Sequence, residues 1–340
     1  MRTIEWIDGS VVTLDQNKLP GEEIQIRLNT CEDMASAIRE MKIRGAPLIG
    51  VAAAMGLALT AFRSKARSRQ EFLRELESSA KILEETRPTA VNLFWSIERI
   101  MKKARESVGE VEDLKRLVIE EAKKMADEDV EINMRIGRNG AKLIEDGYTI
   151  LTHCNAGGLA TVGYGTALGV IRAAFETGKK IKVIATETRP KLQGARLTAY
   201  ELLKDGIPVT LITDSMAGYA MKRGMVDIVV VGADRIVRDA VINKIGTYTI
   251  AVLARENGVP FYVAAPLSTM DLSRTSVEVE IEERNPREVL YFHSVRVAPE
   301  GVNVWNPAFD VTPMDYVSGI ITETGVLTPK ELESKVRNLK

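Results

Sequence analysis

Histidine and cysteine are nearly missing from this chain. Its 340 residues include only His153, His293, Cys31 and Cys154. Two cysteines far apart are too few for a disulfide framework or a cysteine-rich zinc site. Two histidines argue against a histidine metal cage, so no metal is expected, and the general base is expected to be a carboxylate or a thiolate. Surplus charge is missing too. The formal net charge is −1, which offers no overall basic surface to nucleic acid or to an anionic membrane. A basic run such as RSKARSR at 63–69 reads as a solvated helix end. The longest apolar run, residues 47–62, is shorter than the ~20 residues of a membrane span, and its Ala and Gly content predicts a tightly packed buried helix. The start, MRTIEWIDGS, has no basic stretch leading into an apolar one, so no secretory signal is expected and the expected location is the cytoplasm. Internal repeats and low-complexity segments are not seen.

What is present is an ordinary globular composition, 45% hydrophobic and 27% charged, at a length that predicts two domains. Residues 1–146 predict a smaller, mainly helical domain opened by a β-hairpin. TIEWI and SVVTLDQ flank Asp8-Gly9, a favoured type I′ turn pair. A second short strand pair is expected near EEIQIRL, then Thr30 as an N-cap with Asp33 three residues on. Helices are expected over 32–42, 47–62, 69–86, 91–107 and from 111 to about 144. Pro47 opens the second, and Arg87-Pro88 closes the third.

From 147 to 340 the period changes to short apolar runs alternating with helical stretches. The runs are YTILTH, KIKVIA, VTLIT, DIVVVGA and PFYVA. A helix is expected after each of the first four, ending at Glu176, Lys204, Arg223 and Glu256, and a long loop after the fifth. This predicts an α/β, Rossmann-like domain with a parallel sheet covered on both faces. Ligands of such sheets bind outside the carboxyl ends of the strands, so the residues just past each run are the candidates.

After the first run come Cys154 and a glycine-rich stretch with Gly157, Gly158, Gly163 and Gly165. Such glycines let backbone N–H groups approach an anion at a helix start, or simply permit close packing. The stretch has no Gly-Lys-Ser/Thr, and Leu168 stands where a dinucleotide motif needs its last Gly. Neither ATP nor NAD is inferred, and no cofactor is expected. Cys154 is either a small buried hydrophobe or a thiol activated at a helix start. His153, its neighbour, should point to the opposite face and so pack rather than serve as its base. Arg189 suits a phosphate or a salt bridge. Asp214 and Asp234 follow the third and fourth runs and suggest one crevice with acid–base capacity, or helix caps. Asn243-Lys244 before Gly246-Thr247 offers a second anion site. A thiol, carboxylates, glycine turns, Arg and Lys fit a small phosphorylated substrate and movement of a proton or hydride within it.

Seven segments together resemble the methylthioribose-1-phosphate isomerase family. They are RGAPLIG (44–50), RPTAVNL (87–93), THCNAGGLATVGYGTALGVI (152–171), ETRPKLQGARLTA (187–199), VGADRI (231–236), NKIGTY (243–248) and NPAFDVTP (306–313). The wider group includes ribose-1,5-bisphosphate isomerase and the regulatory subunits of translation initiation factor 2B. The resemblance implies a cytoplasmic homodimer that interconverts methylthioribose 1-phosphate and methylthioribulose 1-phosphate in methionine salvage. It implies Asp234 as proton donor and Cys154 as the other catalytic residue. Arg44, Gly45, Ala46, Arg87, Gln193, Asn243 and Lys244 would bind substrate, with the Gly157 and Gly158 turn helping to hold the phosphate. Whether hydrogen moves through an enol or as a hydride stays open. A bisphosphate isomerase would need a second anion site in place of an apolar pocket. A regulatory subunit would have no chemical need for Cys154, Asp234 and Asn243-Lys244.

Overall fold

The computed structural model describes residues 2–331 and 334. They divide into two compact units, one of Met1–Met134 with Gly157–Gly165, the other of Arg135–Ala156 with Thr166–Lys340.

In the first unit, β1 (Ile4–Ile7) and β2 (Ser10–Leu14) form the expected hairpin; EEIQIRL makes no second pair but one strand, β3 (Gln25–Leu28), which takes the free edge of β2. Asp8 and Gly9 both have positive φ, 49° and 74°, as a type I′ turn requires. Thr30 and Asp33 make a reciprocal capping box on α1 (Cys31–Arg39). Four helices follow: α2 (Ala46–Arg63), α3 (Arg69–Glu84), α4 (Val91–Glu106) and α5 (Val111–Ala141). α2 is long and apolar enough to cross a bilayer, yet 72% of it is buried. It is a core helix whose small residues admit close neighbours. A Cβ at Gly50 would lie 2.7 Å from Ser96 Oγ and 2.8 Å from Asn92 O, so α2 and α4 meet near their N-terminal ends.

The second unit is built on a seven-stranded sheet. Its strands are β4 (Thr149–Thr152), β5 (Lys182–Thr186), β6 (Val209–Ile212), β7 (Ile228–Val231), β10 (Phe261–Ala264), β14 (Gly319–Thr322) and β15 (Gly325–Leu327). Their order is β15-β14-β10-β7-β4-β5-β6. All neighbours are parallel except β14 and β15. The sequence placed five of these strands; β14 and β15 fell in what read as a long loop. β14 is only GIIT, too short to show a period. β6 departs from the expected double cover. It is an edge strand, and its middle residues are exposed.

Helices α6 (Ala167–Glu176), α7 (Ala199–Lys204), α8 (Ala217–Lys222) and α9 (Thr247–Glu256) join these strands. The stretch from DIVVVGA to α9 is not helical throughout. It holds β8 (Arg235–Ile236) and β9 (Ala240–Lys244), which form a second sheet with β13 (Phe309–Pro313), while β11 (Tyr291–Phe292) and β12 (Val295–Arg296) pair only with each other. The β-branched AVINK run suits a strand, and its partner lies about seventy residues on.

Candidate active site

The strand order contains a switch point. From β4 the chain moves through β5 to β6 at one edge, then returns to β7 on the other side of β4 and continues to β10 and β14. Connections leave β4 and β7 in opposite directions, which opens a crevice at their carboxyl ends. Cys154 lies just past β4 and Asp234 just past β7. A Cβ at Gly232 would sit 2.6 Å from Ala156 Cβ, so only glycine lets these two segments pack so closely. Asp214 does not stand beside Asp234. It follows β6, which β5 and β4 separate from β7, a distance across the sheet of about 14 Å at ~4.8 Å per strand. Consecutive runs in sequence are not consecutive strands here.

Cys154 is half-buried and held in an unusual backbone conformation, with φ at 62°. Such angles are uncommon outside glycine and call for support from the surroundings. Two threonines supply it. Cys154 N–H donates to Thr188 Oγ1 at 2.9 Å, and Thr198 Oγ1 donates to Cys154 O at 2.6 Å. Asp214 fastens the same turn by accepting from Thr188 N–H at 2.8 Å and Arg189 N–H at 2.7 Å. Asn155 Nδ2 reaches Glu201 at 2.8 Å, and Glu201 is paired with Arg172 at 2.7 Å. Cys31 offers the contrast, since burial pushes its thiol up to about 11.

His153 is hydrogen-bonded within the fold. Nε2 faces Ile245 O at 2.8 Å, and Nδ1 faces Thr186 Oγ1 at 2.6 Å. A carbonyl only accepts, so Nε2 carries the proton and Nδ1 accepts from the hydroxyl. Burial lowers the pKa of the ring, which keeps it neutral.

Gln193 lies in the turn after β5, before a π-helical segment, Gly194–Thr198. It is buried, and its Oε1 has no hydrogen-bond partner among the described residues. Leaving such an atom unsatisfied costs about 1–3 kcal/mol, so it is a ready acceptor for a ligand hydroxyl. Arg189 donates to Val289 O at 3.1 Å and sits over the Phe292 ring at 5.6 Å.

Asn243 and Lys244 close β9. Asn243 Nδ2 donates to Thr247 Oγ1 at 2.9 Å, and Lys244 Nζ donates to Ala308 O at 2.8 Å above the Phe309 ring. The helix start beyond them is already filled. Asp310 accepts from Gly246 N–H at 2.7 Å and from Tyr248 N–H at 3.1 Å. The expected second anion site therefore holds the protein's own carboxylate. Burial pushes Asp310 up to about 6.

The first unit carries the remaining candidates. Arg44 is buried, and its Nε donates to Gln16 Oε1 at 2.9 Å, while Gln16 Nε2 donates to Leu159 O at 2.7 Å. Gly45 is the N-cap of α2 with φ at 102°, and a Cβ there would lie 2.5 Å from Ala160 Cα. Ala46 is the first helical residue. Arg87 stands four residues before α4. Neither α2 nor α4 has a side-chain cap or an acidic residue in its first turn. Two adjoining positive helix ends, each preceded by an arginine, suit an anion.

Gly157 and Gly158 belong to this unit and not to the start of α6, which begins only at Ala167. Their stretch is an excursion. Thr3 Oγ1 donates to Gly158 O at 2.6 Å, and Val162 N–H donates to Asp129 at 2.7 Å. A Cβ at Gly165 would lie 2.6 Å from Gly157 Cα, so this glycine serves close approach of the excursion's two ends. Among the described residues, no group of three His, Cys, Asp or Glu side chains is gathered as metal ligands would be.

Residues 42–329 match the family model described as the initiation factor 2 subunit family. The chain belongs to this family. Among family members, the methylthioribose-1-phosphate isomerase of Geotalea uraniireducens (strain Rf4) is 58% identical, over 98% of this chain and 99% of its own length. The enzyme of the same name from Acetivibrio thermocellus is 54% identical, over 97% of each chain. A crystal structure of 5-methylthioribose 1-phosphate isomerase from Pyrococcus horikoshii OT3 superposes with a TM-score of 0.92 at 48% identity, covering 100% of this chain and 96% of that one. A structure from A. fulgidus titled translation initiation factor eIF-2B, subunit delta, is also similar. It has a TM-score of 0.87 and 51% identity, and covers 98% of this chain and 99% of that one.

Proposed function

We propose that the chain is an aldose–ketose isomerase that interconverts 5-methylthioribose 1-phosphate and 5-methylthioribulose 1-phosphate, a step of methionine salvage. The carrying observation is the half-buried Cys154, held at positive φ past β4, with Asp234 past the neighbouring β7. The substrate's anomeric carbon bears the phosphate, so its ring cannot open spontaneously to an aldehyde. An acid has to protonate the ring oxygen, and that is the role of Asp234. Hydrogen then passes from C2 to C1, with Cys154 as the second catalytic group. Gln193 accepts from a sugar hydroxyl through its buried Oε1, and Asn243 and Lys244 complete the sugar contacts. Arg44, Gly45, Ala46 and Arg87 form the anion-binding set of the first unit, to which the turn at Gly157 and Gly158 contributes. No cofactor takes part. We take the enzyme to work in the cytoplasm as a homodimer, with no nucleic-acid or membrane partner. Exposed Leu203, Leu211, Met216 and Tyr219 on and around the edge strand β6 support the pairing.

The test is turnover of methylthioribose 1-phosphate beside ribose 1,5-bisphosphate, on protein sized by sedimentation. Twice the chain mass of 37.5 kDa is expected, and a monomer rejects the homodimer. The methylthio sugar should be strongly preferred. Cys154→Ala and Asp234→Asn should each lose ~10²–10⁴-fold in kcat. Preference for the bisphosphate moves the chain to the sister reaction. Near-normal rates in both variants would show that the roles are misassigned.

A further inference from the structure

The segment NPAFDVTP has no part in the chemistry described so far, yet its Asp310 touches the turn that carries Asn243 and Lys244. That turn runs from β9 into α9, and its cap residue, Gly246, has no side chain and a φ of 104°. The local ties are Asn243 Nδ2 to Thr247 Oγ1 and Thr247 Oγ1 to Lys244 O. The others come from far along the chain. On one side Asp310 accepts the N–H groups of Gly246 and Tyr248. On the other, Ile245 O accepts from His153, and a Cβ at Gly246 would lie 2.9 Å from the His153 ring. His153 is bonded directly to Cys154. The β13–β9 register sets Asp310 opposite Asn243, so the clamp is built into the strand pairing.

We propose that Asp310 is a positioning residue for the reaction: its carboxylate pins the Asn243–Lys244 turn against the ring of His153 and so fixes the substrate contacts of that turn relative to Cys154. This rests on the reading of Asn243 and Lys244 as substrate-binding. Two groups bear on the carboxylate or its turn. Lys244 from β9 pulls its pKa down, and the ring of His153, just past β4, has its own pKa lowered by burial against the opposing pull of Asp214. The side chain of Tyr248 on α9 turns instead to Tyr316, with ring centroids 5.9 Å apart. Desolvation is the largest influence and leaves Asp310 at about 6, so its charge changes within the range of an ordinary rate profile. The protonated form has one oxygen less to offer the two N–H groups, and an asparagine imitates that form.

The experiment compares KM and kcat of wild type and Asp310→Asn with methylthioribose 1-phosphate from pH 5 to pH 8. Taking the ratio of the two KM values cancels the ionisation of the substrate phosphate, which both proteins share. The ratio should be about tenfold at pH 8 and fall toward one at pH 5, with kcat changed less. The thermal midpoint should not drop at pH 8. A raised carboxyl pKa means that the stability belonging to the protonated form is lost as pH rises through about 6, and Asn removes that loss. A ratio near one at every pH overturns the proposal, as does a pH-independent loss of KM, kcat and thermal midpoint together. If Asp310→Asn fails to fold, Asp310→Glu decides. It keeps the charge but shifts it by one methylene, so KM should rise at every pH; kinetics identical to wild type overturn the proposal. Wild-type protein without turnover removes the functional reading and this role together, whereas active wild type with an unaffected variant removes this role alone.

Discussion

The starts of α2 and α9 are built to one plan and used in opposite ways. Each is capped by a glycine at strongly positive φ, 102° at Gly45 and 104° at Gly246. Each is closely preceded by a basic residue, Arg44 or Lys244. Each is packed so tightly that a Cβ on the glycine would strike a neighbour, Ala160 in one case and His153 in the other. At α9 the orphan N–H groups go to Asp310, and Lys244 goes to a carbonyl and an aromatic face. At α2 no side chain among the described residues caps the helix, no acid lies in the first turn, and Arg44 donates from its Nε to Gln16. A positive helix end is a place for an anion only if the protein has not filled it. Under the proposed function the two ends divide the labour, one for an external phosphate and one for internal anchoring.

The largest effect expected from breaking this contrast comes from placing a carboxylate at the start of α2. Ala46→Asp gives α2 a carboxylate of its own, as Asp310 does for α9. Repulsion between unit charges near a protein surface reaches about 4 kcal/mol at 4 Å, so KM for the sugar phosphate should rise at least a hundredfold. The helix itself should gain about 0.3–1 kcal/mol in denaturant unfolding, since acid is favourable in a first turn. Ala46→Asn controls for size and should keep most of the affinity. An Ala46→Asp protein with wild-type KM would mean that the start of α2 holds no phosphate.

Why the two ends look alike in sequence explains what could and could not be read there. Local signals carried far. Asp8-Gly9 fixed the hairpin turn, Thr30 and Asp33 marked the start of α1, and the helix bounds within residues 1–146 fell within a few residues because caps and apolar periodicity act over a single turn, whereas α6 and α9 start more than ten residues later than expected. The residues just past β4 and β7 could be named from the chain, but not that these strands are neighbours. Strand order is set by pairings between distant segments, so Asp214 was grouped with Asp234 although β4 and β5 lie between their strands. Nothing near Gly246 announces Asp310, which arrives through the pairing of β9 with β13. The glycines after Cys154 looked like a helix start because the excursion that separates them from α6 leaves no compositional mark. The buried, unsatisfied oxygen of Gln193 is a fact of packing and has no sequence signature at all.

A smaller effect sharpens the contrast within one molecule. Inorganic phosphate stands in for the substrate's phosphate, and amide hydrogen exchange is read at both helix starts in the same sample. At a concentration about three times its dissociation constant, a ligand that binds only the closed form slows exchange by a factor of about four. That slowing is expected at Ala46 and Leu48 in the first turn of α2; Pro47 between them has no amide hydrogen. No change is expected at Gly246 and Tyr248, whose N–H groups are already bonded to Asp310. Equal slowing at both ends would mean that phosphate displaces Asp310 and that the α9 start is an anion site after all. Slowing at neither would empty the α2 start of its role. A fourfold change is small, but each end serves as the other's control, so salt, pH and global stability cancel and only the occupancy of the two helix starts remains.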